Sequence, residues 1–260
     1  MRYTDQDGST KSTSALTQTA VKESLVIMEY SNSEAEQMDF KDRIKKFIRR
    51  NGKTDFLSKL NPYSKILDVG CGNNAPYHTK QILPDCDYTG IDIADHNQTK
   101  PLLANKYIIT TPQDFANKIR ELPKNFDAVV SSHNLEHCDD RESTLAAMLN
   151  VIKIGGKLYI SFPCEESINF PRRNGVLNYY DDSTHKYLPP NFMETLTTIK
   201  EHGFIIEYSE RNYSPAILRL IGFLLEPLSK HRNMKMLGAW EYYGFESIII
   251  AKRINDPNLV

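Results

Sequence analysis

The chain has 260 residues, 40% of them apolar and 25% charged, with 32 Lys and Arg against 33 Asp and Glu. That balance belongs to a globular protein with a full core. The formal net charge of −1 excludes the clustered basic excess of an electrostatic nucleic-acid binder. No stretch approaches 18 uninterrupted apolar residues, so no membrane span is expected. The first residues are polar and lack the apolar centre of a secretion signal. The four cysteines, Cys71, Cys86, Cys138 and Cys164, form no CxxC pair and no zinc-ligand spacing. A reducing cytoplasm and a site without metal are the simplest expectations.

In chain order, residues 1–20 are rich in Ser and Thr without periodicity and read as part of a partly flexible arm over 1–33. One domain is expected over 34–260. Ala35, Met38, Phe40, Ile44, Phe47 and Ile48 recur at helical spacing, which predicts an amphipathic helix over 34–50 ending in the basic run KKFIRR. From Lys65 the pattern changes. Short apolar runs at 65–69, 87–93, 106–110 and 126–132 alternate with helical stretches near 75–83, 112–121 and 141–152. A further run at 155–162 opens on Gly155-Gly156, and runs at 203–209 and 244–253 close the chain. Seven strands alternating with helices predict an α/β fold: a Rossmann-like, mostly parallel sheet with helices on both faces. The last two runs lack an ordinary crossover helix, which predicts antiparallel pairing at one end of the sheet. Two long connections, about 163–188 and 210–243, fall on the edge of that sheet where strand C-termini gather ligands and are long enough to carry function.

Asp68-Val69-Gly70-Cys71-Gly72-Asn73-Asn74 follows an apolar strand and precedes a helix. Glycines there let the backbone turn tightly and approach a ligand. Asp92 closes the next strand twenty residues beyond Gly72, where a carboxylate suits the paired hydroxyls of a ribose. Ala75 occupies the third glycine position of a dinucleotide loop, so an NAD(P)-dependent oxidoreductase stays open on these residues alone. No Tyr-x-x-x-Lys pair for hydride transfer accompanies it.

Five segments in order resemble one family. ILDVGCG, YTGIDI, Gln113-Asp114-Phe115, FDAVVSSHNLEH and IKIGGKLYISFP are similar to successive motifs of the class I S-adenosylmethionine-dependent methyltransferases, over about residues 60–165. The resemblance implies their sheet with a reversed last strand, and S-adenosyl-L-methionine as cofactor. It places Asp68 and Gly70 by the methionine portion, Asp92 on the ribose and Ile93 beside the adenine, with Cys71, Gly72 and Asn73 also binding the cofactor. Gln113, Asp114 and Phe115 would meet the adenine edge, with Ser132 at the fourth strand's exit. The family often has a small residue where this chain has Asn74, which tolerates left-handed backbone.

The acceptor side is less defined. His133, Glu136 and His137 follow the fourth strand, where ligands gather in open α/β sheets. His133 is the expected base or orienting group, because a neutral imidazole can take a proton near physiological pH. His185, in the stretch Asp182-Ser183-Thr184-His185, is the second candidate. Arg172 and Arg173 form a possible anion-binding pair, and Tyr179 and Tyr180 join them as acceptor contacts. The apolar run from Ile217 to Leu228 is too short to span a bilayer and reads as core, lid or the face of a homodimer. The expected activity is methyl transfer to a small molecule, with an oxygen of a sugar or phosphorylated metabolite in surface-polysaccharide synthesis the particular expectation. A non-catalytic subunit of the same fold is the remaining alternative.

Overall fold

The computed structural model describes residues 47–96 and 98–255. The expected arm over 1–33, and all but the last turn of the helix over 34–50, lie outside the described residues. Seven strands form one sheet: β1 (Lys65–Val69), β2 (Asp87–Asp92), β3 (Lys106–Ile109), β4 (Phe126–Ser132), β5 (Ile152–Pro163), β6 (Phe204–Glu210) and β7 (Glu246–Arg253). Their order is β3-β2-β1-β4-β5-β7-β6. The first five pair in parallel, and β7 runs antiparallel to both β5 and β6. The reversed strand therefore lies inside the sheet, and β6 forms the edge.

Strand alternation divides the core. Leu67 and Val69 of β1 pack with α4 (Arg141–Val151) and α5 (Phe192–Glu201) on one face. Ile66 packs on the other with Phe56 and Leu57 of α1 (Lys53–Leu57) and with Tyr88 and Val130. Successive side chains of a strand point to opposite faces, so a run of buried residues means cover on both sides. The Gly155-Gly156 pair does not open β5 as expected. It lies inside the strand, with Gly155 at φ +82°, at a register shift where Phe126 pairs with Ile152 and Ala128 already pairs with Lys157. The glycine supplies the left-handed backbone that this irregularity needs.

Strand order reverses between β1 and β4: β2 and β3 lie on one side, β5 on the other. The chain ends leaving β1 and β4 part there, opening a crevice beyond the sheet's carboxyl edge. From β1 the chain turns into α2 (Ala75–Ile82), and after β3 it enters α3 (Phe115–Arg120). The connection after β5 is held by short 3-10 turns at Glu165–Asn169 and Tyr179–Asp181. The one after β6 carries α6 (Ala216–Arg232) and α7 (Ala239–Tyr243). Leu218 and Gly222 of α6 are buried, while Leu220, Phe223 and Leu224 on the same apolar run are exposed. Among the described residues no helix is long and apolar enough to cross a membrane.

Candidate active site

The turn after β1 is built by three left-handed residues, Gly70 (φ +66°), Gly72 (φ +61°) and Asn74 (φ +55°). A Cβ on Gly70 would lie 2.2 Å from Asn134 Oδ1, so only glycine lets the β1 and β4 exits meet this closely. A Cβ on Gly72 would meet nothing within 4 Å, so this backbone faces open space. Asn74 tolerates its conformation as expected, and its Oδ1 accepts from Thr99 N at 2.6 Å. Asp92 is buried; its Oδ2 accepts from Gly72 N at 2.7 Å and its Oδ1 from Ile93 N at 2.7 Å. His96 Nε2 lies 3.1 Å from that Oδ1. Asp92 thus ties the end of β2 to the glycine turn. Asp68, also buried, accepts from Lys53 Nζ at 3.0 Å and Tyr88 Oη at 3.1 Å through Oδ2. Its Oδ1 and the Nδ2 of Asn134 are buried with no hydrogen-bond partner among the described residues.

A cavity of about 570 Å³ starts at this turn, within the range of small-molecule sites. Gly70, Gly72, Asp92, Ile93, His96, Pro112 and Phe115 line one side; His133, Asn134, His137, Asp139, Thr184, His185 and Lys186 line the other. The long connection after β5 supplies Thr184, His185 and Lys186. It is pinned to the β4 exit by Lys186 N donating to the Glu136 carbonyl at 3.0 Å and by the Lys186–Asp139 ion pair at 3.1 Å. Cys71, Asn73, Gln113, Asp114 and Ser132 do not line this cavity. Asn73 and Gln113 are exposed, and Asp114 engages Asn117 at 3.2 Å. Cys71 is buried; burial first, and Asp68 second, push its thiol up to about 12.

His133 sits at φ +50°, its ring fixed on both nitrogens. Nδ1 lies 3.2 Å from Glu136 Oε1 and Nε2 3.2 Å from Glu246 Oε1. Burial alone would press its pKa down, but the bonds to Glu136 and Glu246 outweigh it and raise it to about 10. A doubly hydrogen-bonded imidazolium has no electron pair to offer, so the geometry does not give His133 the part of a neutral base. Trp240 and Phe245 flank its ring, with centroids 5.1 and 6.3 Å away. Arg49 extends the cluster, 2.8 Å from Glu246 and 3.3 Å from Glu241. Arg49, in the basic run KKFIRR, thus joins this charge network from its partly exposed edge.

The other two imidazoles are arranged differently. His185 Nδ1 lies 2.6 Å from the Tyr179 carbonyl, which only accepts, so Nδ1 carries the proton. Thr184 Oγ1 donates its single hydrogen to Asp182 Oδ1 at 2.6 Å and must therefore accept from His137 Nδ1 at 3.0 Å. With Nδ1 engaged on both rings, Nε2 is the remaining ligand atom of each. Burial lowers the pKa of His185, which holds it neutral. The two ring centroids are 4.8 Å apart, and Tyr179 stacks on His185 at 4.1 Å.

The expected acceptor contacts separate. Arg173 is buried, with Nη1 2.7 Å from Glu226 Oε2 and 2.6 Å from Ser229 Oγ. This two-oxygen clamp on α6 occupies its guanidinium, so Arg173 is not free to bind an anion. Arg172 lies over the Tyr180 ring, beside a separate cavity of about 280 Å³. Tyr179 is fully buried and serves as the platform under His185. No motif in the sequence points to Asn134, His96, Pro112, Thr184, Trp240 or Glu246. Asn134 and Thr184 stood beside marked residues, but nothing in the sequence connects Glu246 with His133.

A mostly parallel seven-stranded sheet with a reversed strand between β5 and β6, opening on a glycine turn and a strand-end carboxylate, defines the class I methyltransferase architecture. Two solved structures share that fold. One is a Haloferax volcanii putative methyltransferase in complex with the Trm112 activator: TM-score 0.53, 12% identity, covering 84% of this chain and 95% of that one. The other is a Mesorhizobium loti S-adenosylmethionine-dependent methyltransferase: TM-score 0.51, 14% identity, covering 77% and 97%. The family model described as "Methyltransferase domain" matches residues 35–201, and the chain belongs to that family. Among curated relatives, the ubiquinone biosynthesis O-methyltransferase of Pseudomonas syringae pv. tomato is 32% identical over 184 residues, 65% of this chain and 72% of that protein. The protein is a methyltransferase, and S-adenosyl-L-methionine is its cofactor.

Proposed function

We propose that this enzyme methylates a hydroxyl oxygen of a small-molecule acceptor bound against the His137–His185 wall. One observation carries the reading: a single cavity runs from the Gly72–Asp92 turn to that wall. The residues on the turn side fit the cofactor. Gly72 offers backbone that a Cβ would cover, Asp92 Oδ2 keeps a lone pair beyond its bond from Gly72 N, and Asp68 Oδ1 and Asn134 Nδ2 are a buried acceptor and donor still to be matched. Asp92 would hold the ribose, Ile93 and Phe115 would flank the adenine, and Gly70, Asn134 and Asp68 would border the amino-acid portion. When bound, S-adenosylmethionine supplies an electrophilic methyl: the acceptor oxygen forms the C–O bond as the C–S bond breaks with its pair going to sulfur, and the hydroxyl proton is released.

The chain's own work is alignment and exclusion of water. His137 and His185 present Nε2 lone pairs that orient the acceptor hydroxyl. The His133 cation, held between Glu136 and Glu246, fixes the β4 exit and acts as a positioning residue. The occupied state of Arg173 turns the reading away from a phosphorylated acceptor. The O-methyltransferase relative supports oxygen as the nucleophile. A sugar hydroxyl of surface-polysaccharide precursors remains one member of the class. Calorimetry with S-adenosylmethionine, followed by methyl-transfer assays on phenolic, sugar and phosphorylated acceptors, tests this. Cofactor binding with transfer to hydroxyl acceptors supports it; tight NAD binding without S-adenosylmethionine binding overturns it.

A further inference from the structure

From the donor atoms on the acceptor wall, we propose that Glu136, His137 and His185 form a site for a divalent transition cation of the zinc class. Each brings one ligand-type atom within 4.8 Å of the other two. Two imidazoles and one carboxylate are the donor set of catalytic zinc sites, which keep a coordination position open for substrate. Tetrahedral zinc, with ligands at about 2.0–2.2 Å, holds them about 3.4 Å apart, so the three side chains need to close by up to about 1.4 Å.

Two independent observations point to a ligand. First, Glu136 is fully buried, with Oε1 held by His133 and Oε2 left without a hydrogen-bond partner among the described residues. A carboxylate anchored through one oxygen and unmatched at the other is costly unless something meets it. Second, both rings are set for coordination. His185 gives its Nδ1 proton to the Tyr179 carbonyl, and His137 gives its own to Thr184, which Asp182 orients in turn. Metal-bound histidines are held this way, with the second nitrogen committed to a carbonyl or carboxylate relay that fixes the tautomer. The ligands come from segments 48 residues apart, so no spacing pattern reveals them.

The consequence for chemistry rests on the function proposed above. Here the two lone pairs go to the cation, and the cation binds the acceptor oxygen at its open position. The coordinated hydroxyl becomes more acidic and releases its proton to solvent before methyl transfer. The favoured acceptors are then hydroxyls able to coordinate a metal.

The test is titration of the full, metal-stripped chain with Zn²⁺ by calorimetry and with Co²⁺ by visible absorption. One cation per chain is expected, with the d–d bands of four- or five-coordinate cobalt. His185→Ala and Glu136→Gln should abolish those bands, and Thr184→Val, which removes only the relay, should weaken binding about 10–100-fold. Circular dichroism identifies any variant that fails to fold; His137→Ala, at the more exposed ring, then replaces it. Wild-type protein without stoichiometric binding, or binding unchanged in folded His185→Ala and His137→Ala, overturns the site. S-adenosylmethionine affinity measured on the same samples separates the two claims. Cation binding without cofactor binding overturns the proposed function alone; cofactor binding and methyl transfer by wild-type protein that binds no cation overturn the cation site alone.

Discussion

The two sides of the cavity are made in different ways. The β1–β2 side is a local construction: a seven-residue turn, a carboxylate at the end of the neighbouring strand, and a backbone hydrogen bond between them. The β4 side is assembled from distant chain: His133 meets Glu246 across 113 positions, and Arg49 meets Glu246 across 197. A backbone device tolerates most side-chain changes but not a new Cβ. A network of buried charges tolerates backbone adjustment but not the loss of one member. The first is robust and recognisable; the second is cooperative.

The largest expected effect breaks the cooperative side. Glu246→Ala strands the His133 and Arg49 cations and should destabilise the fold by about 3–5 kcal/mol, the usual result of removing one partner of a buried ion pair. His133→Ala should cost a similar amount, and the double variant less than the two together, because they share one network. Denaturant unfolding of the three proteins measures this, and strict additivity would dissolve the contrast. Gly70→Ala probes the local side. A Cβ 2.2 Å from Asn134 Oδ1, at a left-handed residue, should cost about 2–5 kcal/mol, read as lost stability together with lost cofactor affinity. Asp92→Asn sets an NH2 against one of the two backbone N–H groups that the carboxylate accepts from, so it should lower stability by about 1–3 kcal/mol and weaken S-adenosylmethionine binding by a similar amount in calorimetry. Gly72→Ala sharpens the point: its Cβ meets no neighbour, so only backbone strain remains, about 1–2 kcal/mol. Smallest of all, Arg172→Ala should change stability by no more than about 0.5 kcal/mol, as for a surface site, and should leave cofactor affinity alone.

The same division decides what could be read in advance. The sheet, its reversed strand and the turn from Asp68 to Asn74 were legible because strand period, glycine placement and a strand-end carboxylate are local features. Gly155 misled because a glycine pair opening a strand and one inside a bulge look alike until the register with β4 is known. His133, expected as base or orienting group, lines the cavity with both ring nitrogens engaged. Its protonation depends on Glu246, which stands in β7 with nothing nearby to link the two. Arg173 looked like an anion contact because its partner, Glu226, lies on another connection. Residue type and position were visible; occupancy of the side chains was not, because it depends on contacts between remote segments.

The clamp from Arg173 to Glu226 and Ser229 joins the connection after β5 to the one after β6. Neither insertion carries any part of the glycine turn. The two connections are therefore mechanically joined: a shift in the one that lends Thr184, His185 and Lys186 to the cavity pulls on the other. A chimera that exchanges both segments should keep this seam intact, where exchanging only one leaves the Arg173 guanidinium buried without its carboxylate.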